Sequence, residues 1–321
     1  MNPLIRPAVN IPTEPRAPSV CLCIPTFRRP SGLRKLLSHI ERLNYAGPLS
    51  VIVVDNDAEM RAGAEVVEQM RPSFRFPLTG HLEARRGHTY AYDHAFVAAC
   101  RAPEAPEFIA VLDDDEYPDS NWLTEMIEVA QRYDVEIVGG PVFPVFDTPD
   151  HWLAKSGLYL PKRYKTGRVP MIYGAGSMLI RRTTLERYLD EPFLHDFAFT
   201  GGGDEEFFYR CRRDGRTFAW ADEAHVFETT PQSRTTVSYL LRRMFRKGTG
   251  ATRVERKFTG NLAGAARRWC KGLGLIASGA LSLPIAALLG GRGAMMRSLV
   301  LAARGTGRIA AEFDILYEEY R

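Results

Sequence analysis

The residues best suited to chemistry form one acidic cluster in the first half of the chain. Five apolar residues, 108–112, run directly into Asp113, Asp114, Asp115 and Glu116. Carboxylates this close repel one another, so such a cluster is expected to bind a cation, to exchange protons, or to lie in water as a polar turn. The turn is the simplest alternative, because acids near the start of a following helix interact favourably with its dipole.

The spacing of the three aspartates favours a cation site. In an extended segment alternate side chains point the same way, so Asp113 and Asp115 share one side and Asp114 takes the other. Mg²⁺ and Mn²⁺ prefer such oxygen ligands and keep coordination positions for water and for substrate phosphates. The following helix has Asp119 and Ser120 available for its cap, so it does not need the cluster. The pattern therefore predicts a divalent cation that holds a diphosphate.

Two later segments carry further candidate groups. Asp204 follows three glycines, 201–203, which permit close backbone approach at the entry of a predicted helix. A carboxylate at such a helix entry can act as a general base. Arg243 lies in a basic segment, residues 240–248, where it can contact phosphate; a solvated basic face is the alternative.

The elements that must position these groups indicate a parallel α/β sheet. An apolar run at 20–25, a helical pattern at 31–43 and a second apolar run at 49–57 give the order strand, helix, strand. In such sheets ligands bind beyond the carboxyl ends of the strands, and Thr26, Asp55 and the acidic cluster all fall there. We therefore expect three polar strand ends to meet at one edge of the sheet.

The composition is typical of a globular protein with room for a large core. The chain has 321 residues, 25% of them charged, and a formal net charge of +4, which excludes disordered and collagen-like classes. Its five cysteines include no Cys-x-x-Cys pair, which indicates a reducing compartment. Residues 1–17 are rich in proline without an apolar run of signal-peptide length, so we expect a flexible lead-in and no export.

The C-terminal part of the chain has a different character. Residues 240–271 hold ten Lys and Arg against the single acid Glu255, and residues 272–291 carry no charge. This order suits an anionic membrane surface. We expect an element seated in or re-entering the cytoplasmic side of the cell membrane, with a soluble helix pair and a full span as alternatives. Nucleic acid is not an expected partner, because the cations are not interleaved with aromatic residues.

Together these motifs resemble glycosyltransferase family 2, whose members have the GT-A fold, a Rossmann-like α/β mixed sheet flanked by helices. The resemblance rests on five segments in order: CIPTFRRPSGLRKLL, VIVVDNDAE, VLDDDEYPDSNWL, GGGDEEFFYRCRRDG and SRTTVSYLLRRMFRKG. The chain is particularly similar to bacterial exopolysaccharide glycosyltransferases. We expect a GT-A domain at 18–250, followed by a basic and apolar helical region at 251–321 that associates with the membrane.

The resemblance assigns roles to individual residues. The implied nucleotide-binding positions are Pro25, Thr26, Arg28, Asp55, Asp113, Asp114 and Arg243. Asp113 and Asp115 would hold the metal, Mg²⁺ or Mn²⁺, and His225 is a candidate third ligand whose alternative is a structural role. Asp204 would be the catalytic base.

Two positions depart from the family pattern. Gly203 stands where the family has a glutamate before the catalytic aspartate, so one of the glutamates at 205–206 is expected to take a supporting role. The tripeptide Ala-Tyr-Asp at 91–93 replaces Ala-Arg-Asn, and Arg85 or Arg86 is expected to supply the lost nucleotide contact.

The resemblance implies a metal-dependent inverting transfer of a sugar from a nucleoside diphosphate, with UDP as the default, to a glycan acceptor in polysaccharide biosynthesis. The expected acceptor is an oligosaccharide carried on a polyprenyl diphosphate. Two alternatives remain at this point. One is a nucleotidyltransferase, for which IPTFRRPSG would be a poor phosphate loop, and the other is an inactive membrane-seated scaffold of a polysaccharide assembly complex.

Overall fold

The computed structural model describes residues 17–317, so the expected lead-in lies almost wholly outside the described residues. In chain order the strands of this part are β1 (Val20–Thr26), β2 (Leu49–Asp55), β3 (Leu78–Leu82), β4 (Phe108–Val111), β5 (Glu116–Pro118), β6 (Ile137–Gly139), β7 (Val142–Phe146), β8 (Gly167–Val169), β9 (Met178–Arg181), β10 (Phe218–Trp220) and β11 (Val226–Thr230). The α-helices are α1 (Pro30–Ile40), α2 (Ala62–Met70), α3 (His88–Cys100), α4 (Trp122–Arg132), α5 (Arg182–Leu185), α6 (Gly203–Arg213), α7 (Val237–Phe258), α8 (Leu262–Leu289) and α9 (Gly291–Ala310).

Eight strands form a mixed central sheet in the order β3-β2-β1-β4-β9-β6-β10-β8. The first four in this order run parallel, and β9 is antiparallel to both of its neighbours. Thr26 lies opposite Asp55 at the carboxyl ends of β1 and β2. The predicted strand, helix, strand order and the shared edge of the first strand ends are therefore confirmed.

The core lies on both faces of this sheet because alternate residues of each strand point to opposite sides. Leu22 and Ile24 of β1 pack on the face that includes Trp122 of α4. Cys21 and Cys23 pack on the other face, which includes Phe96 of α3. All five cysteines are free thiols, and four of them are buried.

A smaller sheet places the acidic cluster. Strands β5, β11 and β7 form a three-stranded sheet in which β11 is antiparallel to β5 and parallel to β7. The acidic residues 113–115 connect the end of β4 in the large sheet to the start of β5 in the small one. The cluster therefore lies at the junction of the two sheets, which the sequence pattern alone did not predict.

The C-terminal helices pack closely on one another. Helix α7 continues through residue 250 as a single helix, so the expected division at 250/251 falls inside an element. Gly279 of α8 lies against α9, where an added Cβ would be 2.5 Å from the carbonyl oxygen of Ser298. Small residues at helix contacts allow such close approach of backbones.

One helix has the properties of a membrane segment. Among residues 17–317, α8 alone is long and apolar enough to cross a bilayer by length and composition, and 11% of its most apolar window is buried. Leu281 and Leu288 of this helix are 74% and 84% exposed. The expected helical C-terminal extension is present, and the helix that contains most of the predicted apolar segment 272–291 begins ten residues earlier, at Leu262, and ends at Leu289.

Candidate active site

An open cleft of about 590 Å³ lies where the strand ends meet α6 and the C-terminal helices. The acids in its lining are Asp113, Glu116, Asp204, Glu205 and Glu228, and the cations are Lys162, Arg243, Arg246, Lys247 and Arg304. Three residues assigned to one site by the sequence, Asp113, Asp204 and Arg243, thus line the same cleft.

Asp113 is held at the cleft wall by two neighbours. The hydroxyl of Tyr92, on α3, donates a hydrogen bond to Asp113 Oδ1, and the backbone N–H of Asp113 donates to Glu116 Oε2 at 2.8 Å. Burial, followed by the charge of Asp115, raises the pKa of Asp113 to about 7. Burial and the charge of Asp113 also raise the pKa of Glu116 well above its ordinary value. The ionised acids at this junction therefore destabilise one another.

Asp115 lies between two arginines that the sequence analysis did not single out. Its Oδ2 accepts hydrogen bonds from Arg29 Nη1 at 2.9 Å and from Arg234 Nη1 at 3.1 Å. Arg234 also donates to Glu228 Oε1 at 2.9 Å. Both of the arginine bonds to the Asp115 carboxylate thus fall on the same oxygen, Oδ2.

The residues around Asp115 fit a divalent cation that a substrate helps to coordinate. Asp113, Asp115 and Glu228 offer only carboxylate oxygens, which Mg²⁺ and Mn²⁺ prefer. Burial and the charge of Asp115 raise the pKa of Glu228, and a cation would relieve this repulsion. No group of three His, Cys, Asp or Glu side chains within residues 17–317 forms a ready metal site. A cation here would take its remaining ligands from phosphate and water.

His225 is placed away from the acidic cluster. Its carbonyl accepts the N–H of Asp119 at 2.9 Å, whereas the N–H of Thr229 donates to the carbonyl of Asp115 at 2.9 Å. The two contacts mark opposite ends of the β5–β11 pair, and four strand residues span roughly 13 Å. The His225 ring packs edge-on against Phe143. This geometry favours the structural alternative for His225 and makes Glu228 the better candidate for a third ligand.

The Asp114 side chain makes its contacts inside the fold and does not line the cleft. Its carboxylate accepts hydrogen bonds from Thr26 Oγ1 at 2.8 Å, from the N–H of Phe27 at 3.2 Å and from Arg29 Nη1 at 2.8 Å. Asp114 is 5% exposed and ties the loop after β1 to the loop after β4. The predicted alternation of the three aspartates agrees with this placement. Three acceptor positions of the Asp114 carboxylate are used within the fold and Asp114 does not line the cleft, which disfavours the predicted nucleotide contact.

The other implied nucleotide-binding residues lie around the carboxyl ends of β1 and β2. Pro25 and Thr26 end β1, and Thr26 is buried. Asp55 caps α2, since its Oδ2 accepts the N–H groups of Gly63 and Ala64 at 2.8 and 3.0 Å. The structure thus uses the Asp55 side chain inside the fold.

Arg28 occupies an exposed corner of the same edge. It has a left-handed backbone conformation, with φ 55°, and its Nε donates to Asp57 Oδ2 at 2.5 Å. The Arg28 guanidinium is the largest cause that lowers the pKa of Asp57. Its side chain is 48% exposed and accessible to a ligand.

Asp204 stands in the first turn of α6, at the cleft. The entry needs glycine because Gly202 has φ 97°, a conformation that side chains disfavour. A Cβ at Gly203 would lie 3.3 Å from Thr89 Cγ2, which is a tight contact, and 3.5 Å from Phe197 Cβ, which is an ordinary one, so the glutamate of the family pattern would require Thr89 to shift slightly. Gly174 lies on the other side, where an added Cβ would be 4.0 Å from Asp204 Oδ2. Small residues therefore leave the Asp204 carboxylate open to the cleft.

The two glutamates after Asp204 have different surroundings. Glu205 lines the cleft, and burial followed by the charge of Asp204 raises its pKa. Glu206 is fully buried and bridges Arg210 Nε at 2.8 Å and Lys257 Nζ at 3.1 Å. Of the two expected supporting residues, only Glu205 is therefore placed to act on a substrate.

The tripeptide Ala-Tyr-Asp at 91–93, which replaces the Ala-Arg-Asn of the family pattern, has a structural explanation. Tyr92 supports Asp113, as described above, and Asp93 accepts hydrogen bonds from the N–H of Phe193 and from His195 Nε2, both at 2.9 Å. Burial raises the pKa of Asp93 to about 6. Asp93 thus fixes the segment that leads to α6.

Arg85 and Arg86 are the residues expected to supply the nucleotide contact of the missing family arginine, and Arg86 lies near the carboxyl end of β1. Arg85 Nη2 pairs with Glu83 at 3.0 Å, and the Arg86 guanidinium lies 5.2 Å from the centroid of the Phe27 ring. Of the two, Arg86 is the one placed beside the loop after β1.

The sequence analysis missed Arg304. This residue belongs to α9, sixty-one positions after Arg243, yet both line the cleft. The available signal was the small-residue pattern of Gly305 and Gly307, which allows α9 to pack against α7 and α8.

Comparisons with known proteins agree with the fold. A model of the family described as "Glycosyltransferase like family 2" matches residues 16–250. The chain is 32% identical over 230 residues to the succinoglycan biosynthesis protein ExoM of Rhizobium meliloti (strain 1021), which covers 70% of this chain and 71% of that protein.

Two solved structures illustrate the likeness in fold. The mannosyltransferase PcManGT from Pyrobaculum calidifontis, in complex with GDP-Man and Mn²⁺, superposes with a TM-score of 0.62 at 20% identity, over 96% of this chain and 91% of that one. S. aureus TarS 1-349 in complex with UDP gives a TM-score of 0.52 at 14% identity, over 94% and 93% of the two chains. The predicted GT-A architecture is confirmed, and the chain belongs to glycosyltransferase family 2.

Proposed function

We propose that this glycosyltransferase moves a sugar, with inversion, from a nucleoside-diphosphate donor to a lipid-linked glycan in exopolysaccharide biosynthesis. The observation that carries the proposal is the shared cleft of Asp204, Asp113 and Arg243. The 32% identity to ExoM supports the biosynthetic role. UDP is the proposed nucleotide because it is the default of the family; the TarS structure contains UDP, whereas the PcManGT structure contains GDP-Man.

Asp204 is the proposed catalytic base. In an inverting transfer the acceptor hydroxyl attacks the anomeric carbon from one face while the nucleoside diphosphate leaves from the other, so one group must take the hydroxyl proton. Asp204 lies open to the cleft at the start of α6. General-base catalysis of this kind contributes roughly 10²–10⁴-fold to the rate.

Other residues of the same cleft are suited to the leaving group. Arg243 can donate charge-assisted hydrogen bonds to phosphate oxygens. A bound Mg²⁺ or Mn²⁺, held by Asp113 and Asp115 with Glu228, would supply Lewis-acid stabilisation of the departing diphosphate. Arg29 and Arg234 hold the Asp115 carboxylate in place. Pro25, Thr26 and Arg28 form the proposed nucleotide end, with Arg86 beside them.

The proposed acceptor is an oligosaccharide on a polyprenyl diphosphate, reached from the cytoplasmic face of the membrane. Exposed leucine and isoleucine side chains at 281, 285 and 288 lie three and four positions apart, so they form one apolar stripe on α8. Arg267, near the start of α8, is exposed and can approach anionic lipid headgroups. We propose that this stripe seats the enzyme in the lipid surface.

The membrane proposal has a direct test. The full chain should float with vesicles that contain an anionic phospholipid, and Leu281→Asp combined with Ile285→Asp should reduce this fraction strongly. Met60→Asp changes a side chain that is 62% exposed outside the C-terminal helices, so it should leave flotation unchanged. Equal flotation of the α8 variant and the wild type would contradict a membrane role for the stripe.

Donor and reaction can be tested together. Wild-type protein is incubated with a panel of UDP-sugars and a membrane lipid extract, with Mn²⁺ or with EDTA, and UDP release and the anomeric configuration of the product are measured. Metal-dependent release of UDP from one donor, with inversion, is expected. Binding of UDP without release from any donor would instead favour the inactive scaffold.

A further inference from the structure

The cleft contains cations that have no acidic partner. Arg243, Lys247 and Arg304 all line the cleft, and none of them is within ion-pair distance of a carboxylate in residues 17–317. Elsewhere on α7 and α9 several cations are paired: Lys257 with Glu206, Arg256 with Asp314, and Arg308 with Glu255. The unpaired cations on these helices thus include three that face one open space.

We propose that Lys247 of α7 and Arg304 of α9 bind the diphosphate group of a substrate. The C-terminal helices are then part of the catalytic site as well as a membrane element. The identity of the substrate rests on the proposed function, but binding of the anion can be measured without any sugar transfer.

Close helix packing fixes the position of Arg304. A Cβ at Gly248 would overlap the carbonyl oxygen of Arg304, and a Cβ at Gly307 would overlap the carbonyl oxygen of Phe245. Gly305 lies as closely against α8, since its Cβ would be 2.6 Å from the carbonyl oxygen of Gly272. Backbone contacts on both sides hold α9 in register, so the Arg304 backbone lies beside Gly248, the residue after Lys247.

The positive charges in the cleft repel one another. Partial desolvation by the surrounding cleft, followed by the charges of Arg243, Arg304 and Arg246, lowers the pKa of Lys247 to about 8, although the side chain remains exposed to solvent in the open cleft; Asp204 opposes this effect. An anion bound to Lys247 and Arg304 would accept charge-assisted hydrogen bonds from them and so offset the repulsion between these cations.

Diphosphate is the ligand class that fits Lys247 and Arg304. Two adjacent phosphates can accept from an ammonium and a guanidinium at once, and the planar guanidinium can donate two bonds to one phosphate. In the proposed reaction this group occurs in the nucleoside diphosphate of the donor and in the polyprenyl diphosphate of the acceptor. Leu301, one turn before Arg304, is partly exposed and would suit the apolar end of the second source.

The test uses inorganic pyrophosphate and the full-length protein in EDTA, with affinity measured by calorimetry. Arg304→Gln should weaken binding about tenfold or more, since it removes a charge-assisted contact. Lys247→Gln should weaken it similarly and serves if the first variant does not fold. Arg292→Gln is the control, because Arg292 is exposed on the same helix and does not line the cleft.

A second arm identifies the source of the diphosphate. A higher KM of Arg304→Gln for the UDP-sugar supports the proposal with the donor as the ligand, and a higher KM for the lipid acceptor supports it with the acceptor. The proposal is overturned if wild-type protein does not bind pyrophosphate, or if the two cleft variants bind it as tightly as the Arg292 variant does. Failure of the transferase function would appear separately, as absence of UDP release from wild-type protein that still binds pyrophosphate.

Discussion

Gly248 of α7 lies directly against the carbonyl oxygen of Arg304 of α9, with no space between them for a side chain. This contact joins the GT-A domain to the C-terminal helices at the cleft. Gly248→Ala should therefore lower the free energy of unfolding by about 1–3 kcal/mol, because the two backbones must separate.

The matched control for this substitution is Gly274→Ala. Position 274 is also helical, but an added Cβ there meets nothing within 4 Å, so alanine should stabilise α8 by up to about 1 kcal/mol. Chemical unfolding of both variants provides the comparison. Equal stability of the two would show that the α7–α9 contact is looser than described.

With the donor as the source of the diphosphate bound at Lys247, the pKa of Lys247 predicts a pH dependence of UDP binding. Because this pKa is about 8, the ammonium is charged below that pH and loses its charge above it. UDP affinity in EDTA should fall as the pH rises from about 7 to 9.5, a range in which lysine ordinarily stays protonated. The charged groups around Lys247 are Arg243, Arg246, Arg304 and Asp204.

The Lys247→Gln variant isolates the contribution of this residue. It should bind UDP more weakly than wild type at pH 7, and its affinity should vary little over the same range. A fall of equal size in wild type and variant would assign the titration to another group.

The Tyr92 hydroxyl is predicted to support Asp113 in donor binding. Tyr92→Phe removes the hydrogen bond to Asp113 and should raise the KM for the donor, with a loss of about 1 kcal/mol in stability. Tyr188→Phe removes a similar bond, to Asp214 at 2.8 Å, which lies outside the cleft lining. Steady-state kinetics of both variants should show a donor effect only for Tyr92.

Adjacent aspartates should respond differently to substitution. Asp114→Asn weakens three hydrogen bonds between the loops after β1 and β4, so it should cost about 1–3 kcal/mol of stability. Asp115→Asn should instead abolish Mn²⁺-dependent UDP release. Thermal unfolding and activity, measured on both proteins, separate the two roles; an unchanged stability of Asp114→Asn would contradict its assignment to the fold.

The sequence predicted those parts of the fold that depend on local pattern. Apolar runs and helical spacing gave the first strands and α1, and the alternation of side chains separated Asp114 from Asp113 and Asp115. Two patterns predicted residues that line the cleft: the acids at a strand end indicated Asp113, and the glycines before a helix indicated Asp204. These features are encoded within a few residues, so spacing reveals them.

Long-range contacts were beyond the sequence pattern. Arg29 and Arg234 meet at Asp115 from positions more than eighty and one hundred residues away, and nothing in their spacing indicates this. The suitability of His225 as a ligand depends on the register of β11, which places His225 at the end of the strand away from Asp115. Arg304 was missed because its place in the cleft depends on how three helices pack.

The rate of UDP release by Asp204→Asn is the measurement that tests the account most directly. With the active donor and lipid extract as acceptor, this variant should release UDP about 10²–10⁴-fold more slowly than wild type while binding UDP equally well. Asp196→Asn, at an exposed position before α6, is the control and should keep the wild-type rate. A wild-type rate for Asp204→Asn would contradict its role as the base and would direct attention to Glu205.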